Sequence, residues 1–273
     1  MEVEIHPTAV VHSGAVIGAG SSVGPYCVIG AKVRIGCGNK ICSHVVLEGN
    51  TSLGDENVIF QFASIGARPQ DLKYHGEEST LEIGSKNIIR EYVTLQPGTE
   101  GGGMRTRIGS QNLFMVTSHI GHDCTIGDRN VVANGVAMAG HVTIGNGVIL
   151  GGLCALHQFV RIGDFALIAG GAMVVSDVPP FCMAQGDRAR LVGINQVGLK
   201  RNGFSHQDLS RIKKLYRQLF CGEGLFKERL GVCKAEYGDF PPAHVFLDFI
   251  DSSARGISPT FRTGERRRAS RGA

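Results

Sequence analysis

Aliphatic residues return at every sixth position over most of this chain. Ile5, Val11, Ile17, Val23, Ile29, Ile35, Ile41, Leu47, Leu53, Ile59 and Ile65 are eleven consecutive hits. Ile83, Ile89 and Leu95 add three, and the positions from Ile108 and Phe114 through Ile168 and Val174 add twelve, 26 in all. The next residue is often glycine, as at Gly18, Gly24, Gly36 and Gly54, and a small residue such as Ala9, Ser21, Cys27 or Ala63 stands four places on. An α-helix turns every 3.6 residues and cannot hold this period. A strand alternates at two, so a spacing of six keeps every aliphatic on one face. Each hexad therefore reads as a short strand plus a turn, and three hexads as one triangular coil. Stacked coils pair as parallel strands about 4.8 Å apart around an aliphatic prism. The glycines are expected to permit the tight corners.

The period breaks at 67–82 and again at 96–107, a stretch that includes Gly101-Gly102-Gly103, and it stops at Pro179-Pro180. Beyond it, Ser205 reads as an N-cap with Asp208 at the third position after it. Leu209, Ile212, Leu215, Tyr216 and Leu219 follow at helical spacing. Further helices are expected over about 224–236 and 243–254. The domain reading is 1–186 for the repeats, 187–255 for a helical unit capping the open end of the solenoid, and 256–273 for a basic tail expected to be disordered.

Charge supports that division. Residues 255–273 hold six arginines (Arg255, Arg262, Arg266, Arg267, Arg268, Arg271) against Glu265, or +5 of a net +4, so the rest of the chain sums to −1. The positive charge belongs to the tail and does not form a nucleic-acid-binding face. Eight cysteines show no CxxC pair and no zinc-finger spacing. Cys27, Cys124 and Cys154 fall in the small slot of the repeat, where they act as small hydrophobes. Scattered thiols suit a reducing cytoplasm. No leader-like start and no apolar run of membrane-spanning length is seen, so neither a signal peptide nor a membrane span is expected.

One stretch carries reactive groups that a repeat does not need: Ser118-His119-Ile120-Gly121-His122-Asp123-Cys124. His122 lies two places past the inward Ile120 and can face outward, and Asp123 can orient its ring. Adding one coil of three hexads to position 122 gives Gly140, followed by His141, and adding another gives Gln158, flanked by His157. A polar stripe of His119, His122, His141, His157 and Gln158 is thus expected along one edge of an apolar prism. Imidazole has a pKa suited to general base work near neutral pH.

These hexads resemble the left-handed parallel β-helix of hexapeptide-repeat acyltransferases. The left hand comes from that resemblance alone, since the general rule for parallel crossovers gives the opposite one. The likeness is closer to the UDP-N-acetylglucosamine O-acyltransferase family. Its carriers are Gln61–Gly66, Gln70-Asp71-Leu72-Lys73-Tyr74, His119–Cys124, Ala139-Gly140-His141, His157-Gln158-Phe159 and the segment from Asn195 to Arg201. The fold class is accordingly all-β, a left-handed parallel β-helix followed by a small α-helical C-terminal domain.

The resemblance implies transfer of a fatty acyl group, 3-hydroxyacyl in kind, from acyl carrier protein to the 3-hydroxyl of UDP-N-acetylglucosamine, the first step of lipid A biosynthesis. It implies His122 as general base and the Gly140 N–H as oxyanion donor, with Asp123 beside the base. Attack on the thioester is direct, with no covalent enzyme intermediate, no cofactor and no metal. Gln70, Asp71 and Lys73 are implied to hold the sugar and phosphate from a loop that reaches a neighbouring subunit's groove. Asn195, Lys200 and Arg201 match the nucleotide-contact segment. Val197 and Asn202 depart from the acidic and basic residues often found there. Gly170 aligns with the position that measures acyl length, where glycine leaves room for a longer chain unless Met173 fills it. A homotrimer with sites between subunits is implied, and basic residues such as Lys200 and Arg201 can help dock the acidic carrier.

Three other readings compete. A zinc enzyme of the carbonic anhydrase kind would use His119, His122 and His141. A related N-acyltransferase would carry a uridine-binding domain before the repeats, which here begin at Ile5. A non-catalytic trimeric scaffold would not need a reactive stripe. Cys124 as an acyl-bearing nucleophile conflicts with its inward slot.

Overall fold

The protein, a computed structural model describing residues 2–260, is a left-handed parallel β-helix closed at one end by helices. Twenty-eight short strands form three sheets, the faces of a triangular prism, with eleven, nine and eight strands. Successive coils pair in parallel at a register of three hexads, as in Ile120 on Met138 and Met138 on Leu156. All 26 in-phase residues of the sequence except the first three are buried. Ile5, Val11 and Ile17 remain partly or largely exposed because, among the described residues, no coil covers them on their N-terminal side.

Register also measures the two breaks. Ile65 pairs with Leu95, and Leu95 with Ile120. Compared with an uninterrupted coil, the first insertion adds two hexads of chain and the second slightly more than one. Both are shorter than 67–82 and 96–107, because the strands Thr80–Ile83 and Arg105–Ile108 already lie in the third face, where Thr80–Ile83 pairs with Asn50–Leu53 on one side and Arg105–Ile108 on the other. The six-residue signal marks only the last residue of a strand, so these longer strands begin before it.

Corners are not where the glycines are needed. The left-handed turn falls three places after most of the aliphatics, and Tyr26, Glu56, Tyr92, Asp123, Arg129 and His141 all adopt it with φ between +57° and +62°. The glycines that follow the aliphatics answer a different constraint, the closeness of the next coil. A Cβ on Gly18 would stand 2.5 Å from the Gly36 carbonyl, and one on Gly127 would stand 2.7 Å from the Gly145 oxygen. At the corner leading from the third face, the small slot is taken by a buried ladder, Asn39, Asn57, Asn87, Asn112 and Asn130. Each side-chain oxygen accepts from the backbone N–H one coil on, at 2.7–2.9 Å.

At the C-terminal end, Cys182–Gln185 adds to the first face and pairs antiparallel with Arg190–Ile194. The region after 187 therefore opens with a strand. Four helices follow: α1 (Gln196–Arg201), α2 (His206–Cys221), α3 (Phe226–Glu236) and α4 (Pro241–Asp251). Ser205 and Asp208 form a capping box on α2. Phe165, Phe181, Phe204 and Phe246 pack ring on ring over the end of the prism. Residues 256–260 do not belong to a disordered tail. Asp177 N–H donates to the Gly256 oxygen at 2.9 Å, Leu191 N–H donates to the Pro259 oxygen at 2.8 Å, and Ser258 is buried. The rest of the expected basic tail lies outside the described residues.

The two roles assigned to glycine separate by mutation. Gly127→Ala should cost about 1–3 kcal/mol by overpacking, whereas Arg129→Gly, at a left-handed corner, should change stability by less than about 1 kcal/mol. Urea denaturation of both variants checks this, and the reverse ranking would contradict it.

Candidate active site

The strand His119–Ile120 lies on the second face, and the chain then turns at His122 and Asp123 toward the third. Asp123 sits at a left-handed corner, φ +60°, as Arg129 does at the next corner, φ +57°. The corner is thus a property of the fold, not strain stored at the site. His122 and Asp123 are both buried, at 7% and 8% exposure, although the repeat alone predicts an outward-facing groove residue. The cover comes from the two insertions.

His122 Nδ1 lies 2.8 Å from Asp123 Oδ2. A carboxylate only accepts, so Nδ1 carries a proton, and in the neutral ring Nε2 keeps the lone pair. Asp123 is itself held by the second insertion. Thr99 donates its N–H to Oδ1 at 2.9 Å and its hydroxyl to Oδ2 at 2.6 Å. The first insertion places Asp71 Oδ2 3.9 Å from His122 Nε2. Asp71 thus reaches His122 of its own chain, whereas the resemblance implies a neighbouring subunit's groove. Gln70 is anchored by its backbone N–H to Gln96 Oε1 at 3.1 Å, its side chain exposed, and Lys73 stands exposed beside it.

The coil register brings Gly140 beneath His122. A Cβ on Gly140 would meet the His122 ring at 2.5–2.6 Å, so only glycine fits under the imidazole. Among the described residues the Gly140 N–H makes no hydrogen bond to the protein. His141 meets His122 edge to face with centroids 5.0 Å apart, and stacks on Phe159 at 4.3 Å and 10°. The arithmetic that leads from 122 to 140 leads from 123 through 141 to 159, so Phe159 is discoverable from the register. His119 Nδ1 lies 2.6 Å from Thr94 Oγ1.

Other expected site residues stand apart from this cluster. His157 and Gln158 are exposed, and His157 Nδ1 faces the Arg255 guanidinium at 2.8 Å. Arg255 Nε donates to the Val175 oxygen at 2.7 Å, so this arginine, counted with the tail, braces the stripe. Asn195 is buried and is used internally. Its oxygen caps α1 by accepting from Gly198 N–H at 3.0 Å, and its amide donates to the Phe165 oxygen at 2.9 Å. The sequence does not announce this capping use, because the short helix α1 carries no periodic signal of its own. Arg201 and Lys200 are exposed. Gly170 lies at the corner between the first and second faces, where a Cβ would meet only Gly152 within 4 Å. Met173 shares an outward column of the second face with His119, Ala137 and Ala155.

The zinc reading meets a different donor set. The donor atoms that come together, within 4.8 Å, belong to His122, Asp123 and His141, not to His119. That set fits a metal poorly, because the Asp123 oxygens already accept three hydrogen bonds. Cys124 is fully buried and its thiol is pushed up to about 12 by burial, so it offers no thiolate for nucleophilic attack.

Burial lowers the pKa of His119, with His122 adding to the effect. Burial also leads for His141, where Asp123 opposes it and His122 reinforces it. An imidazole depressed in the folded state binds its proton more readily when unfolded. Both groups therefore contribute stability above about pH 6.5 that fades as pH falls through their folded values. NMR titration should place both below the ordinary value of about 6.5; a higher pKa for either would contradict this account of the site.

A family model described as UDP-N-acetylglucosamine O-acyltransferase, domain 2, matches residues 177–258. The crystal structure of UDP-N-acetylglucosamine O-acyltransferase from Moraxella catarrhalis superposes with a TM-score of 0.91 at 43% identity, covering 93% of this chain and 99% of that one. The Acinetobacter baumannii protein gives 0.90 at 44% over the same shares, and the Arabidopsis UDP-N-acetylglucosamine acyltransferase gives 0.84 at 39%. With this identity over nearly its whole length, the chain is an acyltransferase and belongs to the UDP-N-acetylglucosamine O-acyltransferase family.

Proposed function

We propose that this enzyme transfers a 3-hydroxyacyl group from acyl carrier protein to the 3-hydroxyl of UDP-N-acetylglucosamine, the first step of lipid A biosynthesis. The observation that carries this reading is the placement of His122. Its Nδ1 is committed to Asp123 and its ring is seated on Gly140, which leaves Nε2 as the base. In the reaction Nε2 accepts the proton of the sugar hydroxyl as the oxygen attacks the thioester carbon. Negative charge moves to the carbonyl oxygen, which the Gly140 N–H stabilises. The C–S bond breaks, and the leaving thiolate takes the proton from the imidazolium. His122 returns neutral, and no metal or redox partner is required.

Asp71, Lys73 and Gln70 stand at the mouth of the site for the sugar and its phosphate, with His119, His141, His157 and Gln158 along the stripe. Ala137 and Ala155 leave a shallow trough between His119 and Met173, a course for the acyl chain that would end near Met173 and Gly170. Lys200, Lys213 and His206 line one surface pocket and suit an acidic carrier protein, with Arg201 beside them. A homotrimer is supported by an apolar outward column on the first face, Val58, Ile88, Leu113, Val131, Ile149 and Leu167. A reducing compartment, the cytoplasm, suits eight unpaired cysteines; among the described residues no helix is long and apolar enough to cross a membrane.

The test is transfer from labelled acyl carrier protein to the sugar nucleotide by the native chain and by His122→Ala. Native turnover should fall by about 10²–10⁴-fold in the variant. A variant as active as the native chain would move the base elsewhere.

A further inference from the structure

We propose that Thr99, in the second insertion, is a positioning residue for acyl transfer, holding the Asp123 carboxylate in the one orientation that presents His122 Nε2 as the base. The inference rests on the reading of His122 as general base. Thr99 is 3% exposed, and both of its donors end on Asp123. Its N–H fixes Oδ1, and its hydroxyl shares Oδ2 with His122 Nδ1. A carboxylate bonded only to His122 would be free to rotate about its terminal torsion. One bonded on both oxygens is not. The Nδ1–H···Oδ2 bond is then set before substrate arrives, and with it the tautomer and the ring plane.

The insertion is built to hold this contact. Gly102 packs so closely that a Cβ would stand 1.9 Å from the Asp123 side-chain carbon. The turn is fastened at Thr99 itself, whose oxygen accepts from Gly102 N–H at 3.1 Å and Met104 N–H at 2.9 Å. It is fastened outward as well, where Glu100 N–H donates to Glu77 and the Gln96 side-chain oxygen accepts from Gln70 N–H. One short interruption of the repeat thus holds the carboxylate below the imidazole and also anchors the loop bearing Asp71 above it. Thr99 does not touch the place where substrate would bind. Its contribution passes through Asp123.

The experiment compares Thr99→Val, Thr99→Ser and Gly102→Ala with the native chain and with His122→Ala. Steady-state transfer is measured together with imidazole nitrogen NMR of His122. Thr99→Val keeps the side-chain shape and loses the hydroxyl donor. It should lower kcat by about 10- to 100-fold, the scale of one hydrogen bond to a charged group, with KM for the sugar nucleotide unchanged. The His122 signals should change from a single Nδ1-protonated tautomer to a mixture. Thr99→Ser should restore both readouts. Gly102→Ala, which displaces the same carboxylate while leaving the Thr99 side chain unaltered, should reproduce the kcat loss, and it stands in if Thr99→Val does not fold.

Native kcat in Thr99→Val alongside an inactive His122→Ala would overturn the proposal and leave the base in place. Lost activity with the native tautomer retained, or without rescue by serine, would make Thr99 merely structural and also overturn it. An active His122→Ala would remove the base reading itself, while the tautomer of His122 in Thr99→Val would still report whether the clamp exists.

Discussion

Everything in this molecule depends on the stacking of one coil on the next at a fixed register of three hexads. Parallel strands about 4.8 Å apart leave no room for a side chain between backbones, so each position is answerable to the one directly above it. Glycine follows the inward aliphatic because the neighbouring coil would strike a Cβ there. Asparagine fills one corner because its amide can bridge consecutive coils. The same rule builds the reactive edge. His122 lies over Gly140, and His141 lies over Phe159. The His122 imidazole and a backbone N–H that makes no hydrogen bond among the described residues thus come together through register alone, without any special loop to join them.

What turns this edge into a site is the interruption of the repeat. Left to the hexads, His122 would project into solvent from a corner. The first insertion brings Asp71 to the Nε2 side, and the second brings Thr99 to the carboxylate on the Nδ1 side. Both insertions leave the prism at the corner between the second and third faces, so its apolar core continues beneath them without a gap. The coils thus carry both the stability and the His122–Gly140 pair, and the loops enclose that pair. The coils supply a rigid floor, and the loops supply burial and orientation.

Much of this was legible in the sequence because the coil imposes a strict period. The inward aliphatics, the buried cysteine slots and the capping box at Ser205 all follow from local rules. So does the proximity of His122, Gly140 and His141, which needs only the addition of one coil length. Phe159 follows from the same sum. Thr99 does not, since it lies outside the period and reaches Asp123 across irregular chain. Thr94 under His119 was hidden by the second insertion, which lengthens the register between them. The capping role of Asn195 was hidden because the helix it caps is only six residues long. The short helix α1 and the strand Arg190–Ile194 were missed because neither carries enough periodic residues to declare itself.

The central claim is that His122 and Gly140 face the two ends of one reacting centre. Its most direct test is a crystal structure of the enzyme with the acylated sugar nucleotide bound. The account predicts the acylated sugar oxygen about 2.6–3.2 Å from His122 Nε2 and the ester carbonyl oxygen turned toward the Gly140 N–H. A product bound with that oxygen on another side chain, and with His122 Nε2 still facing Asp71, would contradict it.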